Sequence, residues 1–215
     1  LDLTVPDDAI GLARYITNLY DGDIFIMDRE RDVARVFIEI PAMMQGNTPQ
    51  SDKLMIDVAR FRGPDLLSDL QDRDFTFNAM AVDLKVDLSQ IIDPLNGESD
   101  LVAKIVRQCS DHAIQDDPVR ALRAIRQSIQ FDARIEPETL KSLRTASTLL
   151  KQPSPERIRD EFVKLLGGKR PSGAIRVAEA LGLLAVLIPE IQLLRQQNVW
   201  EHTLTVMDKL NTLLT

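Results

Sequence analysis

Hydrophobic periodicity changes character near residue 100, and that change limits the possible folds more than any single motif does. Before it, apolar residues come in short bursts at strand spacing, separated by Pro, Gly and Asp; after it, they recur every three or four residues over long stretches. "LDLTV" leads into "DDAIGLARYITNLY", where Ile10, Ala13, Ile16 and Leu19 mark one helix face. "GDIFIMD" and "VARVFIEI", joined by the polar "DRERD", predict a hairpin in which Val36, Ile38 and Ile40 alternate with Arg35, Phe37 and Glu39. Beyond a Gly, Asn, Pro and Ser rich loop from Gln45 to Asp52, "KLMIDVARF" predicts one more strand, with Asp57 on the face opposite Ile56 and Val58. "DPVRALRAIRQSIQF", "PETLKSLRTASTLL", "SPERIRDEFVKLL", "SGAIRVAEALGLLAVL" and "WEHTLTVMDKLNTLL" are all helical in pattern. The fold class is therefore α+β: a mixed sheet with helices, followed by an all-helical array.

A chain of 215 residues, 44% of them hydrophobic, can bury one or two cores. The net charge of −7 argues against a nucleic-acid partner until its distribution is considered. Residues 1 to 100 carry 20 acidic and 9 basic side chains, whereas the remainder carries 13 acidic and 17 basic. An acidic first half and a basic second half suggest two tasks, although chance asymmetry on solvated surfaces explains the same numbers. No apolar run reaches the roughly 20 residues of a membrane span, and the N-terminus lacks the order of a signal peptide. The single cysteine, Cys109, excludes an internal disulfide and fits a reducing cytoplasm.

Two aspartates, Asp2 and Asp57, fall on predicted strands. Paired carboxylates suit a hard cation such as Mg²⁺; the alternative is two strand-end carboxylates facing water. Asp21 and Asp23 flank Gly22 in what is more simply a turn. In "QDRDFTFNAMAVDL", Arg73, Asp74 and Asn78 interrupt an apolar segment, so they either satisfy one another at an element end or hold a polar ligand. In "QDDPVRALRAIRQ", Pro118 suits a first helical position with Asp116 or Asp117 near the cap. Arg120, Arg123 and Arg126 then step by three along one face, and Asp117 and Arg120 can meet. Such a pair could address a nucleobase edge or be a plain ion pair. Ser154 and Pro155 predict another helix start, with Glu156 and Arg157 in its first turn.

"RDFTFNAMAVDL", "DPLNGESDLVAKIVR", "DDPVRALRAIRQSIQF" and "SPERIRDEFVKLL", in this order and spacing, resemble class II tRNA nucleotidyltransferases, the CCA-adding enzymes and bacterial poly(A) polymerases. The resemblance covers almost the whole chain. It implies a polymerase-β-like head over residues 1–92, a helical neck over 93–150 that recognises the base, and a helical body over 151–215 that binds tRNA and leads toward an HD-like domain at His202. It further implies Mg²⁺-dependent addition of CMP or AMP from CTP or ATP to tRNA 3′ ends, in the cytoplasm. Asp2 and Asp57 would be catalytic metal carboxylates. Arg73, Asp74 and Asn78 would take the triphosphate and ribose. Asp117 and Arg120, with Arg123 beside them, would read the base, and Glu156 and Arg157 would support the site from behind.

Several positions depart from the family pattern. The first metal aspartate would lie just upstream of Leu1, so the chain is expected to be a fragment. Asp72 stands where an arginine is usual, and Asp116 replaces a Glu. Only "RGPDLLSDLQ" follows Phe61 before Asp72, a connection shorter than in members that add all three nucleotides, which resembles members that stop after CC. The junction "LLRQQNVWEHTL" is abrupt, and His112 has no evident partner. Alternatives are a poly(A) polymerase and a non-catalytic RNA-binding module.

Overall fold

The computed structural model describes residues 1–39 and 53–214. The expectations for Ile40 and the loop from Gln45 to Asp52 lie outside the described residues. The chain divides into two compact units, Leu1–Asp72 and Arg73–Thr215.

In the first unit, β1 (Asp2–Val5) leads into α1 (Ala9–Tyr20), followed by β2 (Asp23–Asp28), β3 (Val33–Glu39), β4 (Lys53–Arg60) and the short α2 (Leu66–Gln71). The four strands form one sheet in the order β1-β4-β3-β2. β1 runs parallel to β4 and the other two pairings are antiparallel, so the sheet is mixed as expected. Period-two alternation sends Ala34, Val36, Ile38, Ile56 and Val58 to one face, where they form a core with Ala9 and Ala13 of α1. Small residues on the helix permit that close approach. Asp8 caps α1 by accepting from the Gly11 amide at 3.0 Å. Asp32, in the hairpin turn, accepts from the next two free amides, Ala9 and Ile10, both at 2.8 Å, and so ties the hairpin to the helix start.

The segment after Arg62 is not an open loop. Asp65 caps α2 through the Ser68 amide at 2.8 Å, and buried Asp69 accepts from the Arg62 amide at 3.0 Å.

The second unit opens on a 3₁₀ turn, Thr76–Asn78, not on the continuous apolar element that its composition suggests. Then come β5 (Ala81–Val82), β6 (Ile91–Ile92), α3 (Gly97–Val102), β7 (Ile105–Val106), α4 (Ala113–Asp116), α5 (Arg120–Gln130), β8 (Arg134–Ile135), α6 (Pro137–Ala146), α7 (Pro155–Leu166), α8 (Pro171–Ala180), α9 (Leu183–Leu187), α10 (Ile191–Gln196) and α11 (Trp200–Leu214). Pro occupies the first turn of α6, α7 and α8, where its missing N–H costs nothing. Ser154 caps α7 as its sequence predicts. The apolar run from Ser172 to Leu187 is broken into α8 and α9 because Gly182 takes a left-handed φ of 75°. The abrupt junction before Trp200 is a tight turn in which Asn198 is also left-handed, φ 57°. Phe75, Leu122, Ile125, Leu143, Leu165, Leu183 and Leu204 are among the residues of one core.

One helix start differs from expectation. Pro118 and Val119 form a turn ahead of α5, Asp116 belongs to α4, and neither Asp116 nor Asp117 caps α5 with its side chain. The packing boundary after Asp72 also differs from the functional boundary at residue 92 that the resemblance implies.

Candidate functional site

The residues singled out from the sequence fall into two groups, one in each unit. In the first, strand register does the work. Asp2 pairs with Asp57, Asp57 with Arg35 and Arg35 with Phe25, so one row crosses all four strands. Directly paired residues point to the same face, here the one opposite the α1 core. Asp2 and Asp57 therefore stand side by side on the open face.

Arg35 completes the row and was not foreseen. Its Nε donates to Asp57 Oδ1 at 2.5 Å and its Nη2 to Asp57 Oδ2 at 2.7 Å, a two-pronged pair that occupies both carboxylate oxygens. Its hydrogen bonds hold the Asp57 pKa below the ordinary aspartate range, against the upward push of burial. The Arg35 pKa is raised by the same bonds and by the charges of Asp57 and Asp2. Alternation of Arg35 with buried Ala34 and Val36 did signal that it shares a face with Asp57.

In the second unit, Asp74 is the hub. Its Oδ1 accepts from the Phe75 amide at 2.8 Å and from Asn78 Nδ2 at 3.0 Å. Its Oδ2 lies 2.7 Å from Arg123 Nη2, a charge contact without the directionality of a hydrogen bond. Asn78 also donates to Gln127 at 3.3 Å, and Arg73 reaches the Asn78 carbonyl at 3.5 Å. Polar residues in "RDFTFN" thus satisfy one another at a turn, with α5 supplying the remaining partners. Below the turn, Thr76 donates to Asp100 at 2.8 Å, and Arg107 holds the same carboxylate at 2.9 and 3.2 Å.

The face of α5 that meets this turn carries Arg120, Arg123 and Gln127, the i, i+3, i+7 positions of a helix. Arg120 is buried and donates to the Arg73 carbonyl at 3.1 Å and the Ala113 carbonyl at 3.0 Å. Arg126, expected to share that face, points instead to buried Glu161 of α7 at 2.5 Å. Gln127 is a further residue that sequence reasoning missed, and its spacing from Arg120 and Arg123 was the signal.

Asp117 joins this group from the extended residue between α4 and the Pro118–Val119 turn. Its Oδ2 accepts from Arg157 Nη2 at 2.6 Å and lies 4.0 Å from Arg120 Nε. Its Oδ1 is shielded from solvent and lacks a hydrogen-bond partner among the described residues. Arg157 therefore touches the site directly, whereas Glu156 stays exposed in the first turn of α7. His112 does have a neighbour, Asp116 at 3.7 Å. His202 is exposed, and among the described residues no three His, Cys, Asp or Glu side chains converge as a metal-binding group.

A cavity of about 400 Å³ lies between α5, α7 and α8, with Arg126, Gln130, Lys164 and Lys169 on its polar side. No helix among the described residues is long and apolar enough to cross a membrane.

Residues 22–107 match the model of the poly A polymerase head domain, and residues 132–194 match that of a probable RNA and SrmB-binding site of polymerase A. The two matches fall in the order that the motifs require. The chain belongs to the tRNA nucleotidyltransferase and poly(A) polymerase family. The nucleotidyltransferase head is polymerase-β-like, a mixed sheet with its helix on one side. Among curated members, a CC-adding tRNA nucleotidyltransferase of Synechocystis is 33% identical over 86% of this chain, and an A-adding tRNA nucleotidyltransferase of Deinococcus radiodurans is 34% identical over 89%. Among solved structures, a Thermotoga maritima CCA-adding enzyme complexed with tRNA superposes with a TM-score of 0.72 and 32% identity, over 87% of this chain and 43% of that one. The chain spans 41% of the length of each of those two curated nucleotidyltransferases.

Proposed function

We propose that this chain is the head and adjoining helical part of an enzyme that adds CMP, AMP or both to tRNA 3′ ends by template-independent nucleotidyl transfer from CTP or ATP. The observation that carries the proposal is the in-register pair Asp2 and Asp57 on the open face of the sheet. Adjacent carboxylates offer the all-oxygen donor set that a hard divalent cation takes, and Mg²⁺ is the family's usual choice. Held there, Mg²⁺ would acidify the RNA 3′-hydroxyl and neutralise charge on the leaving pyrophosphate. Asp2 and Asp57 would hold it, and Arg35 must then yield Asp57.

The remaining roles belong to the second unit. Arg73, with the Asp74 and Asn78 turn that positions it, is suited to a triphosphate and ribose. Asp117 Oδ1, a shielded acceptor with no hydrogen-bond partner among the described residues, is suited to a donor on a base edge, with Arg120 and Arg123 fixed nearby. Arg157 orients Asp117, and Glu156 takes no direct part. Functional boundaries at residues 92 and 150 follow the motifs, not the packing division. Lys164 and Lys169 beside the α5–α7–α8 cavity fit RNA phosphates, so tRNA binding should weaken as salt rises. A tRNA-maturing enzyme of this kind works in the cytoplasm.

Within this reading, the short connection before Asp72, folded as α2, favours a member that adds only the two C residues. The test is nucleotide addition by the full-length protein with Mg²⁺ on tRNA transcripts ending before, within and after CC, with CTP and ATP offered separately. Growth by two C residues and no A is expected. Completion of CCA, or A added only to a CC end, would correct the nucleotide assignment. A long A tail on diverse RNA would identify a poly(A) polymerase, and RNA binding without addition would leave a binding module.

A further inference from the structure

Asp57 Oδ1 and Oδ2 are both engaged by one guanidinium, at 2.5 and 2.7 Å, through a fork-on-fork contact that is among the stronger ion-pair geometries in proteins. A divalent cation seated between Asp2 and Asp57 needs at least one of those oxygens. It also needs relief from a positive charge that would otherwise lie within a few ångströms of it. We propose that Arg35 is a positioning residue that serves as the resident counter-cation of the carboxylate pair, and that a divalent ion reaches Asp57 only by displacing its guanidinium. The proposal rests on the metal reading given above and adds an order of events to it.

Two further observations favour displacement over permanent pairing. Arg35 is half-buried, with its side chain 31% exposed, so it is not locked by packing. On its other side the in-register neighbour is Phe25, 61% exposed on β2, whose ring offers a released guanidinium a place to lie. In the resting protein Arg35 keeps two neighbouring carboxylates from repelling each other. Its release then couples ion uptake to whatever gives the guanidinium a new partner, and a phosphate of the RNA or nucleotide is the chemical class that does so.

The test is a Mn²⁺ titration, without nucleotide or RNA, of the full-length protein, read by calorimetry and by free-ion electron paramagnetic resonance. Arg35→Met keeps the aliphatic stem and removes the charge; it should lower the Kd for Mn²⁺ by about fivefold, as expected from removing one unit charge at short range near the surface. Arg35→Lys, which keeps the charge but loses the fork, should fall between Arg35→Met and the wild type. Arg31→Ala, whose side chain is 83% exposed beside Asp28, should leave the Kd unchanged. Adding Asp57→Asn to Arg35→Met should abolish the gain, and circular dichroism with the thermal midpoint reports whether each variant is folded. An unchanged or weaker Kd in folded Arg35→Met overturns the proposal while leaving the metal reading intact, provided that wild-type binding is lost in Asp57→Asn. Absence of saturable Mn²⁺ binding in the wild type and in every Arg35 variant overturns both.

Discussion

Asp117 and Arg157, forty residues apart in the chain, meet at 2.6 Å, and the pair leaves the second oxygen of Asp117 shielded and without a hydrogen bond among the described residues. A helix that the sequence treats as remote support is thereby in contact with the side chain proposed to address the base. The pair fixes which oxygen is presented.

Arg157→Ala should therefore act on selectivity more than on rate. Freed from its partner, Asp117 turns more easily toward Arg120 Nε, now 4.0 Å away. The ratio of kcat/KM for the preferred nucleotide over its competitor should fall about tenfold, close to the free energy of one charge-assisted hydrogen bond. Arg157→Lys should recover part of it. Equal losses for CTP and ATP would show that Arg157 acts only through the helix.

The pairing of Asp57 with Arg35 predicts a pH dependence of stability. The Asp57 pKa is lowered from about 3.8 when folded, so the folded state releases this proton more readily than the unfolded chain does. The contribution is fully present above about pH 4 and is lost as pH falls through the depressed folded value. Urea unfolding of wild type and Arg35→Met should differ most at neutral pH and converge as pH falls below the depressed folded value of Asp57. A constant difference across that range would exclude the linkage. Both side chains are about a third exposed, so solvent screening keeps the effect small, on the order of 1 kcal/mol or less.

Arg126 and Glu161 bridge α5 and α7, with Glu161 only 5% exposed at its side chain. Arg126→Met strands most of that buried carboxylate's charge, with Lys164 at 3.8 Å as its remaining cation among the described residues, and should cost about 2 kcal/mol in chemical denaturation. The double change with Glu161→Leu should recover much of the loss, since a packed apolar pair removes the need for any counter-charge. A double variant no more stable than the single one would contradict this.

Gly97 opens α3 against the turn that carries Asn78. A Cβ built there would lie 2.2 Å from the Thr76 carbonyl oxygen, backbone that cannot step aside cheaply. Gly97→Ala should destabilise by about 1–3 kcal/mol and move the turn, so that the Asp74 and Asn78 contact loosens. The readouts are the unfolding midpoint and the KM for nucleotide, both expected to worsen together.

Much of the head was legible because a sheet covered by a helix on one side imposes a period of two. Ala34, Val36 and Ile38 alternating with Arg35 and Phe37 marked β3 by pattern alone, and Asp57 between Ile56 and Val58 marked the face of β4. Ser154 and Pro155 at the start of α7 were equally direct. The start of α5 was less so, because Asp116, Asp117 and Pro118 fit either a capped helix or the short helix and turn that they form. The three arginines of α5 were read as one face at a spacing of three. At about 3.6 residues per turn Arg126 lies roughly 100° from the Gln127 direction, and packing against α7 draws it away.

What the sequence determined by itself was the four strands and first helix of the head, most of the long helices, the motif order and the residue types available for chemistry, since these follow from local periodicity and from side-chain identity. Only tertiary structure decided who meets whom. The pairing of Asp57 with Arg35 depends on strand register, the closure of Asp74 by Arg123 and Asn78 on how α5 lies on its turn, and the contact of Asp117 with Arg157 on where α7 crosses. Each is a contact between segments whose separation along the chain carries no local signal, and each is fixed by burial of the apolar faces that bring those segments together.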